Sequence, residues 1–172
     1  MATAPSGHLL TRLWRHLFAR SAQALYPPAS LQRIADGIAA GEASHRGQVC
    51  FAVESALPIG AVWSGHHAHG SARHAFTRLR VWDTVANNGV LIYLLLADRR
   101  IEIVADRGLA AHVSAEQWRG VCQLMEERLQ AGEPEAAALQ GVAAVSALLA
   151  AHFPRSGDVD LTNELPDLPQ IL

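Results

Sequence analysis

Cysteine is scarce in this sequence, which has only two, Cys50 and Cys122, among 172 residues. Both lie inside apolar patterns, so we expect two buried thiols and no disulfide framework. No Cys, His and carboxylate residues follow the spacing typical of a zinc site. Four clustered histidines are instead expected on an exposed polar surface: His66, His67, His69 and His74.

An excess of charge of one sign is also lacking. The formal net charge is −2 and only 17% of the residues are charged, while half are apolar. This balance is typical of a globular protein and gives no reason to expect a nucleic-acid partner. Ser-His-Asp, Cys-His and glycine-rich phosphate-loop signatures are missing, and no apolar run has the length of a transmembrane helix. The length is that of one domain with a substantial core.

Residues 1–26 are predicted to contain an amphipathic helix, over residues 8–20. Arginines interrupt its apolar residues, which distinguishes it from a signal peptide, so we expect a cytoplasmic protein. The helix either packs its apolar stripe on the domain or presents it to a protein partner or membrane surface, which would place the protein peripherally on the membrane. The residues that would contact a partner lie on one stripe: Leu9, Leu13, Trp14, Leu17 and Phe18.

The region from residue 81 to 108 carries the strongest structural signal. Val90–Ala97 is an unbroken apolar run, typical of a central strand covered on both faces. Arg100–Asp106 alternates apolar and polar residues, as a half-exposed strand does. With Asp98-Arg99 as the turn, the two segments predict an antiparallel hairpin.

The remaining patterns predict helices on both sides of this hairpin. A strand at Gln48–Ser55 and a helix over residues 64–79 lead into the hairpin, so a right-handed parallel crossover is expected. Further helices are predicted from Ser30 to Ser44, from the capping box at Ser114, and from Pro134 to Phe153. The expected fold is a three-layer α/β/α sandwich with a small mixed sheet.

The C-terminal residues 154–172 are polar and rich in proline. They lack helical or strand periodicity, so we predict an irregular tail whose removal changes stability little.

One end of the predicted sheet collects polar residues from several loops. Antiparallel pairing brings the residues after the second hairpin strand beside those before the first, so Asp83, Asn88 and Asp106 are expected to meet there. Their oxygens are hard ligands, which predicts a weak Ca²⁺ or Mg²⁺ site. His45, Arg46 and Arg107 are expected nearby and would favour an anion, as would the amides of the helix that starts at Ser114.

This part of the sequence resembles the TPM domain family. The resemblance covers about Pro27 to Phe153 and includes an Asp, an Asn-Asn-Gly-Val-Leu run, an Asp-Arg turn and a Gly-Leu pair. The matching positions are Asp83, Asn87–Leu91, Asp98–Arg99 and Gly108–Leu109. Departures occur at Ala105, at Asp106–Arg107 and at Ala110, where the family has Gly, a single residue and Glu.

The resemblance implies two functions. The first is an interaction or assembly module, acting with a partner or a membrane-associated protein. The alternative is a divalent-metal-assisted acid phosphatase for phosphomonoesters, with Asp83, Asp106 and Arg107 as the candidate catalytic residues and a small phosphorylated ligand. No organic cofactor is expected.

Overall fold

The predicted central strand is the middle of a mixed sheet. The computed structural model describes residues 7–155 and 163–172. Four strands lie in the order β3-β2-β1-β4: β1 Gln48–Glu54, β2 Gly89–Leu95, β3 Arg100–Ala105 and β4 Gln170–Ile171. Seven α-helices accompany them in the described residues: α1 Gly7–Leu17, α2 Ala22–Leu25, α3 Pro28–Glu42, α4 Ile59–Trp63, α5 Ala68–Arg78, α6 Ala115–Gln130 and α7 Pro134–His152.

The hairpin and the parallel pairing of the first two strands are both confirmed. β1 and β2 are parallel, with Gln48 opposite Gly89. β2 and β3 are antiparallel, with Val90 opposite Ala105. The turn between β2 and β3 ends at Arg99, whose backbone is in the left-handed region at φ 52°. Every residue of β2 is buried, as its unbroken apolar run predicts.

Helices cover both faces of the sheet, which confirms the three-layer sandwich. On one face, alternate strand residues such as Phe51 and Ile92 pack against α3, α6 and α7. On the other, Ala52 and Leu91 pack in a second cluster with α4 and α5, against which Leu9 and Leu13 of α1 also lie. The sheet therefore separates two helical layers, one with α1, α4 and α5, the other with α3, α6 and α7.

Several predicted helix boundaries are wrong. Residues 64–79 do not form one helix, because the chain breaks between α4 and α5 with Gly65 at φ 78°. The helix predicted from Ser30 to Ser44 starts two residues earlier, at Pro28, and ends at Glu42. At Gly47, which follows it, a Cβ would lie 2.8 Å from the Leu149 side chain. The capping box at Ser114 is confirmed.

α7 is long and apolar enough to cross a membrane by length and composition, which the sequence interpretation missed. Its apolar character has a structural cause, because Val142, Val145 and Leu149 are buried in the core against the sheet and its neighbouring helices. We therefore describe it as a core helix.

The C-terminal segment is not an irregular tail where the structure describes it. Ile171 pairs with Val53 in a parallel strand, and Leu172 N donates to Val53 O at 2.9 Å. Upstream, the Gln48 side-chain oxygen accepts from the amides of Glu164 (2.9 Å) and Leu165 (3.2 Å). Residues 156–162 lie outside the described part of the chain.

Leu165 of this segment is part of the hydrophobic core, since it is only 6% exposed. We expect Leu165→Ala to lower the free energy of unfolding by about 2 kcal/mol, since it removes buried methyl groups. Leu168→Ala is the matched control, because Leu168 is 52% exposed. Chemical denaturation of both variants tests this. Equal stabilities would mean that the segment does not contribute to the core, as the sequence first indicated.

Candidate functional site

The two loops at the end of the sheet meet as predicted. Asp106 N donates to Gly89 O at 2.9 Å, and Gly108 N donates to Asn87 O at 3.0 Å. Gly108 is required for this approach because a Cβ there would collide with the Asn87 carbonyl oxygen. Asn87 is left-handed at φ 50°. The residues on either side of the β2–β3 pair therefore form one rigid loop cluster.

Two of the three predicted cation ligands have a free oxygen in this cluster. Asn88 is buried and donates from Nδ2 to Arg46 O at 2.5 Å, while its Oδ1 has no hydrogen-bond partner in residues 7–155 and 163–172. Asp106 accepts from Arg107 N through Oδ1 at 2.7 Å, and its buried Oδ2 has no partner in the same ranges. Buried acceptors are normally hydrogen-bonded, so we expect both oxygens to contact a ligand or a water molecule.

Asp83 and Arg107 are engaged elsewhere. The Asp83 carboxylate forms an exposed ion pair with Arg80, three residues earlier. Arg107 donates from Nε and Nη2 to Asn87 Oδ1 at 3.3 and 3.2 Å. The Arg107 side chain therefore braces the loop and does not neutralise the Asp106 carboxylate.

The predicted anion-binding groups contribute little to the cluster. Arg46 contacts it through its backbone carbonyl oxygen, which accepts from Asn88 and cannot bind an anion. The His45 ring lines a separate cavity described below. At α6, the capping box uses the amides of Ser114 and Gln117, which reduces the donors available to an anion. In the described ranges, no three His, Cys, Asp or Glu side chains are grouped to hold a metal ion.

A second surface is formed by the N-terminal helix. Its apolar stripe is divided: Leu9 and Leu13 pack toward the domain, while other residues project outward. Trp14 and Phe18 are 62% and 66% exposed, with rings stacked at 4.9 Å between centroids. We call the following exposed set the docking face: Leu10, Trp14 and Leu17 of α1, Phe18 directly after it, and Ile59 and Trp63 of the adjoining α4.

A partly buried polar anchor fixes α1 in place. Arg12 binds both carboxylate oxygens of Asp98, at 3.0 and 2.8 Å, and donates to His66 O at 2.6 Å. His16, 4% exposed, lies 3.1 Å from Asp98 and accepts from Leu57 N at 3.0 Å. Burial raises the pKa of Asp98, but the hydrogen bonds from Arg12 and His16 outweigh it and hold the pKa below its usual value.

Comparison with known proteins identifies the family. The model of the TPM domain matches residues 21–148, well over half of the chain. This chain belongs to the TPM domain family. The NMR structure of the BA42 protein from the psychrophilic bacterium Bizionia argentinensis is similar, with a TM-score of 0.72 and 21% identity over 90% of this chain and 97% of that one. At this identity the likeness shows the fold alone. No curated protein matches the chain in sequence.

α1 lies outside the matched residues of this TPM domain. The family match starts after Leu17, the last residue of α1. The Arg12–Asp98 pair joins α1 to the β2–β3 turn across 86 positions. Sequence reasoning missed this anchor because an ion pair over that separation has no local pattern.

The TPM domain also has a polar cavity of about 190 Å³ beside α3 and the C-terminal segment. Its polar lining includes Glu42, His45, Arg155 and Asp167. Burial raises the pKa of Glu42 to about 7, and the charge of Asp167 adds to this, although Val49 N donates to Glu42 Oε1 at 2.7 Å. Burial also lowers the pKa of His45, although the hydrogen bond to Gly47 O opposes this.

Glu42 should make the stability of the TPM domain depend on pH. Because its pKa is raised from 4.5 to about 7 on folding, the unfolded chain ionises first and stability falls as pH rises across that interval. Glu42→Gln keeps an acceptor for Val49 N and removes the titration. The variant should therefore melt higher than the wild type above about pH 7 and match it below pH 4.5.

Melting temperatures across this pH range test the prediction. Asp36→Asn, at an exposed position of the same helix, is the control and should follow the wild type. A Glu42→Gln curve parallel to that of the wild type would show that Glu42 does not titrate in this interval.

Proposed function

We propose that this TPM-domain protein is an interaction and assembly module that contacts its partner through the docking face. The observation that supports this most is the exposure of Trp14 and of Phe18, on and directly after a helix that is fixed to the domain. Large contiguous apolar surfaces are rare on proteins that act alone and typically mark contact sites.

The anchor supports a docking role because it presents the aromatic residues in one orientation. A helix held by Arg12, His16 and Asp98 cannot easily turn its outer side chains inward. The outer residues therefore lose little conformational freedom on binding, which lowers the entropic cost of association. Trp and Phe are also enriched in the cores of protein contacts.

Site-specific photo-crosslinking in cells that produce the full chain tests this function. A photoreactive phenylalanine analogue at position 18 should form covalent adducts with whatever contacts the docking face. The same analogue at position 124 is the matched control, because Leu124 is 42% exposed on α6, in the opposite layer. Equal labelling at both positions, or none at position 18, would refute the docking role.

A second candidate function is weak binding of a divalent cation at the loop cluster. It is favoured by the unpartnered oxygens Asn88 Oδ1 and Asp106 Oδ2. These are hard ligands that suit Ca²⁺ or Mg²⁺, and waters would supply most of the coordination shell. Two protein oxygens predict a weak site, with a dissociation constant of about 1 mM or higher.

Calorimetric titration with Ca²⁺, then Mg²⁺, then phosphate tests this candidate. Asp106→Asn should abolish cation binding, whereas Asp83→Ala should leave it nearly unchanged because Asp83 pairs with Arg80. The phosphatase alternative needs a further assay, turnover of a generic phosphomonoester with and without the cation. Equal rates for the wild type and an Asp83→Ala, Asp106→Ala variant would exclude catalysis at this cluster.

A further inference from the structure

Charge is distributed unevenly between the two helical layers. All 14 of the Lys and Arg residues are arginines. Residues 7–20 and 55–82 contain none of the 16 Asp and Glu residues. They do contain six arginines: Arg12, Arg15, Arg20, Arg73, Arg78 and Arg80. An overall charge of −2 conceals this asymmetry.

These two segments build one layer of the fold. They include α1, α4 and α5, which pack on the same face of the sheet. Arg12 and Arg80 are paired with Asp98 and Asp83, which leaves a set of exposed arginines: Arg15, Arg20, Arg73 and Arg78. Two other carboxylates reach this layer from the strands, Glu54 to Tyr93 and Glu102 to His69.

The opposite layer has the opposite sign. The helices α3, α6 and α7 carry three arginines and six carboxylates. The carboxylates are Asp36, Glu42, Glu116, Glu126, Glu127 and Glu135. The protein therefore has a basic side, which bears the docking face, and an acidic side turned away from it.

We infer that the docking face binds an anionic lipid bilayer, with the acidic layer facing away from the membrane. This inference rests on the proposed docking function and names its partner. Trp and Phe side chains insert at the boundary between headgroups and acyl chains, and arginines beside them contact anionic headgroups. Arg15 and Arg20, on and just beyond α1, are placed for these contacts.

Charge complementarity favours a bilayer over a protein partner. The four exposed arginines lie on α1, just beyond it and on α5, so the basic character is spread over two helices and is not concentrated at one position opposite a partner's carboxylate. A charged bilayer attracts such a layer as a whole and repels the acidic one, which orients the domain before contact. The inner leaflet of a cell membrane supplies anionic lipids of this kind.

Vesicle cosedimentation tests the inference with the full chain. We expect binding to vesicles that contain phosphatidylglycerol, much weaker binding to pure phosphatidylcholine, and release by high salt. Arg15→Gln with Arg20→Gln should weaken the partition constant by about fivefold for each arginine. Trp14→Ser with Phe18→Ser should weaken it by at least about tenfold. Arg119→Gln and Leu124→Ser, in the acidic layer, are the matched controls and should bind as the wild type does.

The outcomes separate this inference from the docking function. If neither vesicle binds and the photo-crosslinker at position 18 captures a protein, the lipid inference is wrong and docking stands. The wild type could instead self-associate as its concentration rises, and the variant with Trp14→Ser and Phe18→Ser could lose this. That result would mean that the docking face binds a second copy of this chain and not a bilayer. Equal binding to both vesicles would overturn the role of charge. If nothing binds and nothing crosslinks, both proposals fail.

Discussion

Replacement of Leu94 by aspartate is expected to prevent folding. Leu94 is the last residue but one of β2 and is 1% exposed, opposite Val53 on one side and Ile101 on the other. An aspartate there would put an unpaired charge in a cluster of apolar side chains. Burial of such a charge costs several kcal/mol, against a typical domain stability of about 5–15 kcal/mol.

Leu124→Asp makes the same chemical change on the solvent side of α6. Leu124 is 42% exposed, so this variant should remain folded and melt within a few degrees of the wild type. Circular dichroism and a thermal melt distinguish the two variants. A cooperative transition in Leu94→Asp would mean that β2 is not the centre of the core.

Replacement of Gly89 by alanine should have the next largest effect. A Cβ at this first residue of β2 would collide with the Val81 carbonyl oxygen and lie 3.0 Å from Val81 Cγ1. Val81 is fully buried and its amide donates to Phe76 O at 3.0 Å, so it has little freedom to move away. We expect a loss of about 3 kcal/mol, since overpacking against a rigid backbone forces the neighbouring chain to shift.

Gly120→Ala is the matched control for this substitution. Gly120 lies within α6, and a Cβ there meets no atom within 4 Å. The variant should gain about 0.5–1 kcal/mol, because alanine has the higher helix propensity and reduces the freedom of the unfolded chain. Denaturant unfolding gives both values. A Gly89→Ala protein as stable as the wild type would show that the loop at Val81 yields easily.

Gly89→Ala also links stability to the loop cluster. The strand start at Gly89 holds Asn88 on one side and pairs with Asp106 on the other. A shift of this strand start would move the Asn88 side chain relative to Asp106. Cation binding should therefore be weaker in this variant than in the wild type. Binding through the docking face, at the other end of β2, should be unchanged.

Local patterns in the sequence were sufficient for the central architecture. The apolar run gave β2, the alternation gave β3, and the capping box at Ser114 and Pro134 marked two helix starts. Each signal reflects a structural requirement that residues close together in the sequence fulfil, such as burial on two faces or hydrogen bonding of the helix-end amides. The meeting of the loops around Asn88 and Asp106 followed from the antiparallel connection alone.

Contacts between distant residues decided the remaining features. The Arg12–Asp98 pair turns half of the α1 stripe inward and leaves Trp14 and Phe18 in solvent, although all belong to one helical pattern. The C-terminal segment is held at the sheet by the Gln48 side chain and by strand pairing with Val53.

The predicted site residues separate through contacts that are close in the sequence. Arg80 pairs with Asp83, three positions away, and His45 lines a separate cavity together with Glu42. Many residue pairs have this spacing, and which of them come into contact depends on how the loops and layers are packed. The outcome therefore becomes visible only once helices and strands occupy their places.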